Sequence, residues 1–99
     1  MPINNPATVT AIQKTGSYVG DDSANRAIPH SLGVIPRYVI IAASDGRVII
    51  VNGTQAMPLN ETTRAVTTPT STNFYVGNAA SYVQSANGVT VTYKWQAFI

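Results

Sequence analysis

The chain has 99 residues and a mass of 10.5 kDa, room for one small core and none for a second catalytic domain. Apolar residues make up 44% but charged residues only 10%, and the absence of cysteine excludes a disulfide framework and any thiolate metal site. The net charge of +2 arises from Lys14, Arg26, Arg37, Arg47, Arg64 and Lys94, scattered singly rather than clustered among aromatics as a nucleic-acid surface requires.

Solubility therefore falls to hydroxyls and amides. The 12 Thr and 7 Ser hydrate a surface without making neighbouring copies repel one another, which suits close assembly. Val, Ile and Thr number 11, 9 and 12, against four Leu and Met together, a composition that disfavours helix and suits pleated strands.

Residues 1–7 read as a polar arm bounded by Pro2 and Pro6, which deny donors to any ladder. The remainder, 8–99, reads as a single β domain. The first ten residues, "MPINNPATVT", lack the basic start and apolar centre of a signal peptide. The longest apolar run, Tyr38 to Ala43, is too short to span a bilayer. The expectation is a soluble protein made in a cytoplasm, with no membrane partner, and the Asn52-Gly-Thr and Asn60-Glu-Thr sequons are chance matches.

A first strand is predicted at Thr8 to Lys14, followed by a glycine-rich loop around Tyr18 and Val19. A short extended segment at Arg26 to Ile28 leads into "RAIPHSLGVIPRYVII". The runs "PRYVIIAAS" and "RVIIVN" flank Asp45-Gly46, a dipeptide that readily adopts the positive φ of a tight hairpin. Both runs are almost continuously apolar, which predicts cover on both faces, by a facing sheet and by another subunit.

Residues 52–60 are expected to form a loop. Short strands are predicted near Thr63 to Val66 and Asn73 to Val76, separated by Pro69, and a second hairpin around Asn87-Gly88. In the final strand Val89, Val91, Tyr93, Trp95, Ala97 and Ile99 share a core face. Seven or eight short strands with no helical period predict an all-β fold, an antiparallel β-sandwich or jelly-roll-like domain with an extended N-terminal arm.

The sequence offers little chemistry. No nucleophile motif flanks any of the seven serines, and His30, the chain's one histidine, could supply only the base of a triad. Asp21 and Asp22 are adjacent, so in an extended segment they point apart, and Asp45 belongs to a turn. His30 and four carboxylates show no metal-ligand spacing. The chain is therefore expected to be no enzyme, to need no cofactor and to bind no nucleic acid. His30, between Pro29 and a Gly33 turn, reads first as a structural tie and second as a surface contact with a partner.

The stretch "IPHSLGVIPRYVII" resembles a pattern in tailed-phage virion proteins: Ile28, His30, Leu32, Gly33, Pro36, Arg37 and the strand Val39 to Ile41 carry the match. It occurs in tail-fibre and receptor-binding modules, and similar small β folds serve as capsid decoration, or cement, proteins. Because the chain starts with Met and ends on a predicted core strand, it is expected to be freestanding, which favours the decoration role. The resemblance implies a homo-oligomer, a trimer, on the outer surface of a virion and bound to the major capsid protein. Pro2, Ile3, Asn4, Asn5, Pro6, His30 and Arg37 are the expected partner contacts. The competing expectation is a glycan-binding module using Tyr18, Tyr38, Tyr75, Tyr82 and Trp95, though most of these are better placed as core residues.

Overall fold

The computed structural model describes residues 13–99. The arm at 1–7 and the first five positions of the strand expected at 8–14 lie outside them. The described chain is all-β, with eight strands in two antiparallel sheets. In order they are β1 (Gln13–Val19), β2 (Arg26–Pro29), β3 (Tyr38–Ala43), β4 (Val48–Asn52), β5 (Gln55–Pro58), β6 (Arg64–Ala65), β7 (Asn73–Val76) and β8 (Thr92–Phe98).

Six strands form one sheet in the order β1-β8-β3-β4-β5-β6, and β2 pairs with β7 in a second. The small sheet covers the inner face of the large one. Ile28, Phe74 and Val76 from the small sheet share one buried cluster with Val39, Ile41, Ile49, Val51, Tyr93, Trp95 and Ala97 from the large. The Phe74 ring meets the Trp95 indole edge-on, with centroids 5.3 Å apart, an arrangement that aromatic quadrupoles favour. The result is a two-layer sandwich, as the strand count and β-branched composition predict. No described helix is long and apolar enough to cross a membrane.

The hairpin β3–β4 forms as expected, with Val39 opposite Val51 and Ile41 opposite Ile49. Its loop is a residue longer than the shortest kind. Gly46 N–H donates to the Ala43 carbonyl at 3.0 Å and Ala43 N–H to Arg47 at 2.9 Å. Among the loop residues only Gly46 has positive φ, at +96°, the pattern of a turn closed by a left-handed glycine. The Asp45 carboxylate steadies it by accepting from Arg47 N–H at 3.1 Å.

Three expectations need correction. Gly16 to Val19 is strand rather than loop, because β1 runs on in full register with β8 from Gln13↔Phe98 to Val19↔Thr92. The loop expected at 52–60 contains β5, paired through Ile50↔Met57 and Val51↔Ala56. No hairpin forms at Asn87-Gly88. The segment before it winds into helical turns, in which Ser85 N–H donates to the Ser81 carbonyl at 3.1 Å, and Ala86 ends them at a φ of +64°. Within one chain the facing sheet covers one side of β3 and β4. Val39, Ile41, Ile49 and Val51 are inside, whereas Tyr38, Ile40, Ala42, Val48 and Ile50 face outward.

On β8 the expected core face holds for Tyr93, Trp95 and Ala97, with Val91 packed against the cluster. Val89 and Ile99 lie beyond the strand ends and are exposed. The topology makes the C-terminal strand central, between β1 and β3.

Candidate functional site

The region around His30 begins with local geometry. Pro29 ends β2, Ser31 takes a φ of +58° and Gly33 one of +80°, so the chain folds tightly over the imidazole. The ring is 1% exposed, with Nδ1 accepting from Leu32 N–H at 3.0 Å and Nε2 donating to the Thr70 carbonyl at 2.9 Å. The neutral Nε2–H form satisfies both contacts. Backbone bonds from His30 N–H to Thr72 and from Gly33 N–H to Ser71 strap the same loop to the chain before β7. Both ring nitrogens are thus engaged internally, and the imidazole cannot touch a partner. Of the two readings of His30, the geometry matches the structural tie.

What the tie supports is nevertheless exposed. Pro36 is buried, and between it and Gly33 the side chains of Val34 and Ile35 stand 45% and 62% exposed. Arg37 follows on the surface, its N–H donating to the Phe98 carbonyl at 2.7 Å. Of the two expected contacts inside the described residues, Arg37 is accessible and His30 is beneath the loop. Pro2, Ile3, Asn4, Asn5 and Pro6 lie outside the described residues.

A larger surface was only half legible in the sequence. The cross-strand registers place Gln96, Ile40, Ile50 and Met57 in one row across the outside of the large sheet. Parallel rows carry Phe98 with Tyr38, and Lys94 with Ala42 and Val48. Tyr38 stacks on Phe98 with centroids 5.0 Å apart. Next to Val48, the Leu59 side chain is 56% exposed. Each run reads as continuously apolar because both alternating sets are apolar, one facing the core and one facing out, as the two-faced reading of these runs expects.

The polar groups able to carry chemistry are committed elsewhere. Asn87, fully buried, donates from Nδ2 to Asp21 Oδ1 and to the Ser23 carbonyl, both at 2.8 Å, and accepts from Arg26 Nη1 at 3.1 Å. Hydrogen bonds from Ser23 and Asn87, with the Arg26 guanidinium nearby, hold the Asp21 carboxyl below the usual carboxylate range. Asp22 accepts from Val89 N–H at 2.8 Å. Arg47 pairs with Asp45 at 2.6 Å and with Glu61 at 2.9 Å. Glu61 in turn accepts from Gln84 at 3.1 Å and is also held below its ordinary range, chiefly by Gln84 and then by Arg47. These links tie turns to strands. Among the described residues no group of three His, Asp or Glu side chains is placed to hold a metal ion.

The aromatics are largely occupied too. Tyr18 stacks on the buried Tyr93 at 5.1 Å, lies under the Arg26 guanidinium and donates its hydroxyl to the Ala86 carbonyl at 2.6 Å. Burial, reinforced by Tyr93, pushes its phenol pKa far up. Trp95 is in the core, Tyr75 and Tyr82 are half-buried, and Tyr38 is the most open of the five residues expected to bind sugar. Comparison with protein-family models, with curated proteins and with solved structures finds no match.

Proposed function

We propose that this chain is a structural protein of a tailed-phage virion, a capsid decoration protein that binds the outer surface of the major capsid protein as a symmetric oligomer. The observation that carries a binding role is the uncovered apolar face on the outside of the large sheet. On it Tyr38 and Val48 are exposed and Ile40, Ile50, Met57 and Phe98 half-buried, and contiguous apolar patches of this kind mark places where another macromolecule packs. The virion setting rests on the resemblance of "IPHSLGVIPRYVII", whose His30 tie props up the Val34–Ile35 tip beside Arg37.

The mechanism follows from symmetry. Each copy contributes a modest contact through the Val34–Ile35 tip, Arg37 and the arm at Pro2, Ile3, Asn4, Asn5 and Pro6. Linking the copies lets later contacts form at a raised effective concentration, so avidity replaces single-site affinity. A trimer is the oligomer that the resemblance implies.

The test is occupancy on particles. The labelled full chain is mixed with virions lacking it and followed by co-sedimentation and by the melting temperature of the shell. Bound chain and a raised shell melting temperature are expected, with weaker occupancy after removal of residues 1–6. Absence of the chain from particles rejects the reading.

A glycan-binding tail-fibre module is the second reading. It is favoured by Tyr38, whose stacked ring on the outer face offers a planar platform for a sugar. Glycan-array binding abolished by Tyr38→Ala would support it in place of decoration.

A further inference from the structure

We infer that the outer face of the six-stranded sheet is where a second copy of this chain packs, face to face about a twofold axis passing near Ile40 and Ile50. The inference rests on the reading of the chain as an assembling protein, sets a pair in place of the trimer that the resemblance implies, and names which surface joins the copies.

Charge is the first argument. Across the strand positions that face outward on β1, β8, β3, β4 and β5, Lys94 is the one ionic side chain among the described residues. A nucleic acid or an anionic membrane would be met by a cluster of cations, and one lysine does not make one. The twofold sets each Lys94 off the axis, on β8, away from its counterpart. Two copies therefore meet without a like-charge contact.

Area is the second. Five strands spaced about 4.8 Å apart, each about 20 Å long, project roughly 500 Å². Side-chain relief from Tyr38, Ile40, Ile50, Met57 and Phe98 carries the accessible area toward the roughly 800 Å² that each partner of a stable pair buries.

Shape is the third. Twisted sheets stack face to face at about 10 Å with strands inclined by about 30°. Ala42, lying between Lys94 and Val48 and beside Ile40, leaves a gap among larger side chains that a facing side chain can enter. Twofold pairing needs only this one patch, because an isologous interface is complementary to itself.

The experiment measures the solution mass of the full chain by sedimentation equilibrium, with Ile50→Glu and Val48→Glu on the face and Thr68→Glu on an exposed loop as a charge-matched control. The expected result is a two-chain mass for the parent and for Thr68→Glu. Ile50→Glu should raise the dimer dissociation constant roughly a hundredfold or more, since an unpaired carboxylate would have to be buried at the interface. Val48→Glu, at an exposed position, repeats the test should Ile50→Glu fail to give a cooperative melt. A monomeric parent up to millimolar concentration overturns the inference, as does a three-chain mass or a dimer that folded face variants leave intact. Particle binding separates the two readings: a dimer that never occupies virions removes the decoration role alone, whereas a monomer that does occupy them removes the pairing alone.

Discussion

Gly16 lies directly opposite Trp95 in the β1–β8 ladder, and the indole occupies the space that a side chain at position 16 would take. A Cβ built there would sit 2.5 Å from Trp95 Cζ2. The glycine weakens β1 as a strand, and the ring lying across it restores the packing that the missing side chain forfeits. Trp95 is thereby set at the angle that meets Phe74 edge-on, so one glycine helps seat the small sheet on the large.

Gly16→Ala should therefore destabilise the domain by about 1–3 kcal/mol, the usual cost of overpacking a well-filled core. Urea unfolding followed by tryptophan fluorescence reads this directly. A midpoint equal to or above the parent's would show that the indole has room to move.

His30→Phe keeps a ring of similar size but leaves Leu32 N–H and the Thr70 carbonyl without their side-chain partner. Each part-buried group so orphaned costs at most about 1–3 kcal/mol, and 1 kcal/mol corresponds to roughly 4–8 °C in melting temperature for a domain of this size. Calorimetry should show a loss of several degrees or more. An unchanged transition would mean that the loop does not depend on the imidazole.

Removing residues 92–99 deletes β8 and leaves β1 and β3 without the strand between them. Tyr93, Trp95 and Ala97 leave the core together, and fully burying a large apolar side chain is worth roughly 1.5–3 kcal/mol before entropy. Loss of the cooperative thermal transition is expected. A truncated chain that still melts sharply contradicts the central placing of β8.

Stability should fall on acidification. Asp21 and Glu61 have folded-state pKa values below their ordinary range, so the native state binds their protons less readily than the unfolded chain does. Their contribution is complete above about pH 4–5, beyond the ordinary carboxylate values, and is lost as pH falls through the lowered folded values. Both groups are exposed, so the effect is screened by salt. Chemical denaturation from pH 6 to pH 2 should show Asp21→Asn and Glu61→Gln each flattening the acid limb; parallel curves would deny these carboxylates the role.

Local chemistry in the sequence determined the class of the fold. β-branched residues stiff at χ1, the Asp45-Gly46 turn and the alternation of Tyr93, Trp95 and Ala97 act over a few residues, so the hairpin and the C-terminal strand could be read directly. Tertiary structure decided the rest. Gln55–Pro58 has no strong strand character and becomes β5 only because β4 offers an edge. Asn87-Gly88 looks like a turn and is instead a buried junction, Asn87 tying down Asp21 and Ser23 while Gly88 admits the Val83 side chain, which would lie 2.6 Å from a Cβ there. Which of two apolar faces on β3 and β4 turns inward was likewise invisible, because alternation fixes that there are two faces while only the packing of β2 and β7 selects the one they cover. His30 follows the same logic: its neighbours in sequence frame the turn, but the Thr70 carbonyl that makes the ring a tie lies forty residues away in the chain and arrives only through folding.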